Sequence, residues 1–229
     1  MNISNVRALL IGIAAGAALT FVGAYFEHAR AADFAVVHDT GGDAITIAGN
    51  IDPGDAKRFA SLLKKNPRVD LVSLTASFGG DWFEAVDIGR AIHRKGLYTL
   101  AIGICKSACA YVWLAGSEVY VMPGAESPKF HLPYGAASMT AYPDIVAPYI
   151  RSIGLPGSLA DYIVSKSLSA KEAVVRCISQ PEGGYTVFVN GAGTFPTTTT
   201  VDIGCSTSDT FSIPLSKLKS FGVKAYVLR

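Results

Sequence analysis

Charge is scarce in this chain. Asp, Glu, Lys and Arg make up 17% of its 229 residues, against roughly 25% in an ordinary soluble domain. The two signs nearly cancel, leaving a formal net charge of +2, and no Lys/Arg cluster stands out. A nucleic-acid groove rests on a basic face, so that class of partner is excluded. Disorder over most of the chain is excluded too, because it needs low hydrophobicity and high net charge, and 50% of the residues here are hydrophobic. Histidine and cysteine number four each, with no C-x-x-C and no H-E-x-x-H. No metal site and no cofactor are therefore expected. G-x-S-x-G is missing, which argues against an α/β-hydrolase elbow. S-x-x-K occurs only at Ser61–Lys64 and Ser216–Lys219, without its companion motifs. There is no ATP-binding loop and no internal repeat.

What is present begins with an apolar leader. Arg7 precedes an uncharged run from Ala8 to Phe26, followed by Glu27, His28 and Ala29-Arg30-Ala31-Ala32. A positive start, an apolar stretch and an A-x-A site are the parts of a secretory signal peptide, with cleavage after Ala31. The run of 19 residues is also just long enough to anchor the chain in a bilayer. Either way the domain is expected outside the cytoplasm, periplasmic, secreted or held at the membrane by residues 8–26. In an oxidising compartment an even cysteine count suggests disulfides. Cys177 and Cys205 could staple the later part of the chain. Cys105 and Cys109, four apart, either pair across a turn or remain buried thiols.

Beyond the leader, β-rich runs alternate with amphipathic helices. Strands are expected at Phe34–His38, Ala44–Ala48, Leu71–Ala76, Tyr98–Ile104, Glu118–Met122 and Pro128–His131. A helix capped by Asp52, with Pro53 at its first position, carries Phe59, Leu62 and Leu63 inward and ends at Asn66-Pro67. A second carries Phe83, Val86, Ile88, Ala91 and Ile92 inward and stops at Gly96. A third, short and buried, runs from Ser107 to Ala115. Helices dominate from Tyr142 to about Val175. Apolar strands alternating with helices imply an α/β fold with a mainly parallel sheet and right-handed crossovers. Residues 181–229 hold thirteen Ser/Thr and seven charges. They read as a small β-rich extension, with strands at Tyr185–Asn190, Thr197–Ile203 and Lys224–Leu228, beside a main domain over 32–180.

Three features recur at the ends of the expected strands. Gly79-Gly80 lies between a strand and a helix, where backbone amides can turn outward to an oxyanion or simply make a tight turn. Ser107 enters a helix, where it is either a cap or a nucleophile with the Ala108 amide as an oxyanion donor. His131 ends a short strand, 24 residues later. It is either a structural histidine or a general base. Together, Gly-Gly, Ser and His at one sheet edge form an acyl-transfer constellation.

These residues carry a resemblance. The stretches I-x-G-x-I-x-x-G-D-A at Ile47–Ala56, L-x-x-N-P-x-V at Leu63–Val69, Gly79–Gly80, K-S-A-C-A at Lys106–Ala110, F-H-x-P at Phe130–Pro133 and L-S-A-K-E-A at Leu168–Ala173 are similar to the Clp-type proteolytic subunits of the crotonase-like superfamily. The periplasmic or membrane-linked members are the most alike. The resemblance implies a Clp/crotonase-like fold of repeated β-β-α and βαβ units. It implies Ser107 as nucleophile, His131 as base, Gly80 and Ala108 as oxyanion donors, and an oligomeric assembly. Two positions depart from it. Phe78 stands where the family has Pro. Ser165-Lys166-Ser167 stands where the family has the triad Asp, leaving Asp161 or Asp144 to orient His131, with Asp161 favoured.

The expected function is an exported serine hydrolase, most simply a peptidase acting on peptide or protein substrates without metal, cofactor or ATPase partner. The alternative is a catalytically weak or inactive domain of the same fold, serving as an envelope binding or assembly module. Acyl-CoA chemistry is a third option, opposed by export.

Overall fold

The computed structural model describes residues 32–39, 42–133, 142–169, 175–179, 185–189, 194–196 and 210–228. The leader, Cys205, the strand expected at Thr197–Ile203 and most of the L-S-A-K-E-A stretch lie outside the described residues. So does the side chain of Cys177, and with it the expected Cys177–Cys205 bridge.

The chain opens with β1 (Asp33–Asp39) and β2 (Gly42–Ala48), an antiparallel pair. Helix α1 (Asp55–Lys65) leads to β3 (Val69–Thr75), α2 (Trp82–Lys95) to β4 (Tyr98–Ala101), and α3 (Ala108–Leu114) to β5 (Val119–Val121). The two-residue β6 (Lys129–Phe130) follows. A 3-10 turn (Pro143–Ile145) enters α4 (Val146–Ser152), and α5 (Gly157–Ser169) comes next. Three further strands, β7 (Val175–Ser179), β8 (Tyr185–Val189) and β9 (Thr194–Pro196), form an antiparallel sheet of their own. The chain closes with β10 (Phe211–Ser212), α6 (Leu215–Ser220) and β11 (Ala225–Val227).

The main sheet has six strands in the order β1-β2-β3-β4-β5-β11, parallel from β2 onward. This is the mainly parallel α/β sheet expected from the sequence. The period-2 alternation of each strand sorts its side chains between two faces. Ile45, Ile47, Val72 and Leu74 enter the large core with Phe59, Ile88, Ile92 and Trp113. Ala44, Leu71, Leu100 and Tyr120 form a smaller cluster.

Besides Phe83, expected inward on the second helix but 72% exposed, two expectations change on contact with the structure. The first helix does not begin at an Asp52 cap. Gly54 takes a left-handed turn (φ 97°) and the helix starts at Asp55. The buried Asp55 carboxylate accepts the amides of Asp52 at 2.8 Å and Ala32 at 3.2 Å. Asp52 thus contributes its N–H, not its carboxylate. Secondly, residues 210–228 are not part of a separate extension. β11 pairs in parallel with β5, β10 pairs with β6, and Ile213, Leu218, Val223 and Ala225 are buried in the large core. The apolar residues of this stretch decide where it docks.

The second helix forms as its ends dictate. The Asp81 carboxylate accepts from the amides of Phe83 and Glu84, and Gly96 closes it at φ 67°. Among the described residues, no helix is long and apolar enough to cross a membrane.

Candidate active site

Beyond β4 the chain continues along the sheet edge to Ser107. The Ser77 amide donates to the Ile104 carbonyl at 2.8 Å, and the Lys106 amide to the Ser77 carbonyl at 3.0 Å. On the other side, the Lys129 amide donates to the Cys105 carbonyl at 2.9 Å and the Ser107 amide to the Lys129 carbonyl at 2.8 Å. Residues 105–107 are therefore threaded between the end of β3 and β6. His131 stands two residues past Lys129 on the same edge. This is how residues 24 apart in sequence share one neighbourhood.

At Ser107 the backbone changes hand, to φ 56° and ψ −129°, and α3 starts at the next residue. Among the described residues, only Ala76 and Ser107 have positive φ without being glycine. Such a conformation costs about 1–3 kcal/mol and persists only where the surroundings impose it; it concentrates at functional sites. A strand-to-helix turn of this kind lifts a side chain out of the sheet edge, as nucleophile elbows do. The Ser107 side chain makes no capping hydrogen bond, so the capping role weighed from the sequence is not the one it plays. The residue is half-buried.

The two glycines divide their work. Gly79 (φ 106°) backs directly onto the serine: a Cβ there would stand 2.5 Å from Ser107 Cβ and 2.9 Å from the Ala108 nitrogen. Gly80 (φ 128°) packs against Ile51, whose backbone occupies the space a Cβ would need. The Ile51 amide donates to the Gly79 carbonyl and the Asp81 amide to the Ile51 carbonyl, each at 2.7 Å. No acceptor among the described residues takes the amides of Gly80 or Ala108. The Ala108 amide also begins α3, where N–H groups have no intrahelical partner.

His131 is half-buried, and its Nδ1 lies 2.6 Å from the Leu132 carbonyl oxygen. A carbonyl only accepts, so Nδ1 carries the proton of this pair. In the neutral ring Nε2 is then the basic nitrogen. The backbone of His131 is held as well: the Tyr111 hydroxyl donates to its carbonyl at 2.9 Å, and the Tyr149 hydroxyl donates to the Tyr111 carbonyl at 2.7 Å. Burial pushes both tyrosine hydroxyls well above their ordinary range, so both remain donors.

Asp144 and Asp161 line a groove of about 420 Å³ with Arg151 and Ser165, between α4 and α5, and neither Ser107 nor His131 lines it. Lys129 is engaged by Glu126 at 2.8 Å, and the Lys106 ammonium sits 5.7 Å from the centre of the Phe78 ring. Cys105 and Cys109, left open as a pair or as free thiols, form a disulfide that brackets Ser107. Sequence reasoning missed Tyr111, Gly79 as the glycine facing the serine, and the Leu132 carbonyl. Tyr111 lies one helical turn after Ser107 and was within reach of a helical-spacing argument. A backbone carbonyl leaves no mark in a sequence. Among the described residues, no cluster of His, Cys, Asp and Glu is arranged to hold a metal ion.

No model of a known protein family and no curated protein sequence matches the chain. Solved structures similar to it include a serine-to-alanine mutant of a membrane-bound stomatin-specific protease, at 17% identity and a TM-score of 0.38, covering 54% of this chain and 68% of that one. A lysine-to-alanine mutant of such a protease in complex with a substrate peptide has the same identity and TM-score, with 64% of that chain covered. A candidate enoyl-CoA hydratase from Streptomyces avermitilis is 12% identical, at a TM-score of 0.39, over 59% of this chain and 61% of that one. At these identities and scores the likeness concerns the course of the chain alone, and no residue's role is carried over from it.

Proposed function

We propose that the chain is an exported serine hydrolase, most simply a peptidase, which works through an acyl-enzyme on Ser107 with His131 as base. The observation that carries this is the backbone of Ser107: a non-glycine residue at φ 56° on a strand-to-helix turn, without a capping bond, beside two amides that have no acceptor among the described residues. Ser107 Oγ would attack a substrate carbonyl while His131 Nε2 takes its proton. The Gly80 and Ala108 amides would receive the oxyanion, a contribution of about 10²–10³ in rate per donor in comparable sites. Collapse would expel the amine, which takes the proton back from His131. Water would then release the acid by the same steps. No ATP enters the cycle. The Cys105–Cys109 disulfide supports the expected location, since such bonds persist in oxidising compartments.

The test is labelling by a fluorophosphonate, which needs an activated serine. Wild type should label at neutral pH, Ser107→Ala should not label, and His131→Ala should label at least 10²-fold more slowly. A folded wild type that stays unlabelled ends the hydrolase assignment. It would favour the alternative of a binding module of the same fold. Labelling that survives Ser107→Ala would mean another nucleophile.

A further inference from the structure

We propose that the Cys105–Cys109 disulfide is a positioning clamp for Ser107, so that the hydrolase works with the bond closed and loses turnover when it opens. This rests on the assignment of Ser107 as nucleophile. The two half-cystines lie on either side of the serine, two residues away in each direction, with Cα atoms 5.3 Å apart. Cys105 belongs to the stretch threaded between Ser77 and Lys129, and Cys109 is the second residue of α3. The bond therefore ties the strand-like side of the turn to its helical side. Both half-cystines are buried, at 2% and 0% exposure. They pack into the core under the turn while Ser107 is left half-buried above them.

The positive φ of Ser107 gives the clamp its purpose. A serine has no steric preference for that region, so the chain has to be held there. Three constraints converge on it: the hydrogen bond from its amide to the Lys129 carbonyl, the backbone of Gly79 pressed against its Cβ, and the covalent bracket. The first two bear on the turn from its flanks. The disulfide is the covalent tie across it, beside the hydrogen bond from the Cys109 amide to the Lys106 carbonyl at 3.1 Å. Without it, residues 105–109 can relax toward an ordinary helix start, which swings Oγ and the Ala108 amide out of line. Misplacement of about 1 Å is enough to cost about 10²-fold in turnover.

The experiment uses the whole chain. Oxidised wild type is first shown to label at Ser107, which separates failure of the hydrolase assignment from failure of the clamp. Wild type reduced by dithiothreitol under native conditions, with the opened cysteines mapped by alkylation, is compared with a Cys105→Ala/Cys109→Ala variant. In both, kcat for an ester or peptide substrate should fall about 10²-fold, with KM within twofold and near-UV circular dichroism retained. Reoxidation should restore wild type. Added dithiothreitol should leave the double variant unchanged. The clamp is overturned if the folded double variant keeps wild-type kcat. It is equally overturned if mapped, reduced wild type keeps its turnover, or if the double variant loses further activity on reduction, which would place the sensitive bond elsewhere. An oxidised wild type that does not label overturns the assignment beneath it.

Discussion

At the scale of single residues, the site depends on what is missing at position 79. Gly54 and Gly79 have nearly the same φ, 97° and 106°, yet different surroundings. A Cβ at Gly54 would meet nothing within 4 Å, whereas one at Gly79 would run into Ser107 and Ala108. The two alanine substitutions thus separate backbone strain from displacement of the nucleophile. Both should destabilise, by about 1–3 kcal/mol, which in a chain of this size lowers Tm by roughly 2–4 °C per kcal/mol. Gly79→Ala should also abolish fluorophosphonate labelling, because Ser107 must move to make room. Gly54→Ala should label at the wild-type rate. Equal labelling of the two would mean that the contact between Gly79 and Ser107 does not govern reactivity. Residue types made Ser107, His131 and the glycine pair visible in the sequence, since each has few reasons to sit at a strand end. The left-handed turn at Ser107 was not visible. Lys106-Ser107-Ala108 contains no glycine to announce it, and tertiary contacts impose it.

At the scale of elements, α3 joins the parts of the site. Its first residue offers an amide, and its fourth, Tyr111, reaches across to hold the strand end that carries His131. The ring of Tyr111 packs edge-on against Trp82 at 4.8 Å and Phe130 at 5.3 Å. Tyr111→Phe keeps this packing and removes only the hydroxyl. The His131 carbonyl then loses a donor, at a cost of about 1 kcal/mol. If that cost falls on the catalytic geometry, kcat should drop about fivefold. Tyr149→Phe removes a bond of similar worth one link further from His131, so it should cost similar stability with little change in rate. Identical rate losses in both variants would deny Tyr111 a role beyond stability. The pH dependence follows from the raised tyrosine values. The unfolded chain's tyrosines ionise near 10, while the buried ones stay protonated to higher pH. The native state then binds more protons than the unfolded state, so stability falls as pH rises through about 10. Urea midpoints of wild type should decline there, and each Phe variant should decline less. Periodicity and caps made the helices and most strands legible. The start of α1 was not, because Pro53 suits a helix start and a turn equally.

At the scale of the whole molecule, the last twenty residues decide whether the sheet is complete. Their composition suggests an appendage, and a truncation after Asp209 would then be harmless. The topology says otherwise. β11 supplies the sixth strand, and β5 would become a bare edge without it. Ile213, Leu218 and Val223 are 2%, 0% and 4% exposed. Burying each of three such side chains contributes about 1.5–3 kcal/mol, so together they bring about 5–9 kcal/mol. A domain's entire stability is about 5–15 kcal/mol. Removal of this stretch should therefore leave a chain with no cooperative thermal transition and with its apolar β5 edge open to aggregation. The milder Leu218→Ala should fold but lose about 2–5 kcal/mol, read as a shift in the urea midpoint at unchanged slope. A truncated chain that melts cooperatively near the wild-type temperature would show that the segment is dispensable. It would also mean that burial here overstates what the contacts contribute. The composition of residues 181–229 could not distinguish these outcomes. Docking of the segment rests on where its apolar side chains go: Ile213, Leu218, Val223 and Ala225 enter the large core and Phe211, Leu215 and Phe221 pack against it, and a composition carries no record of that placement.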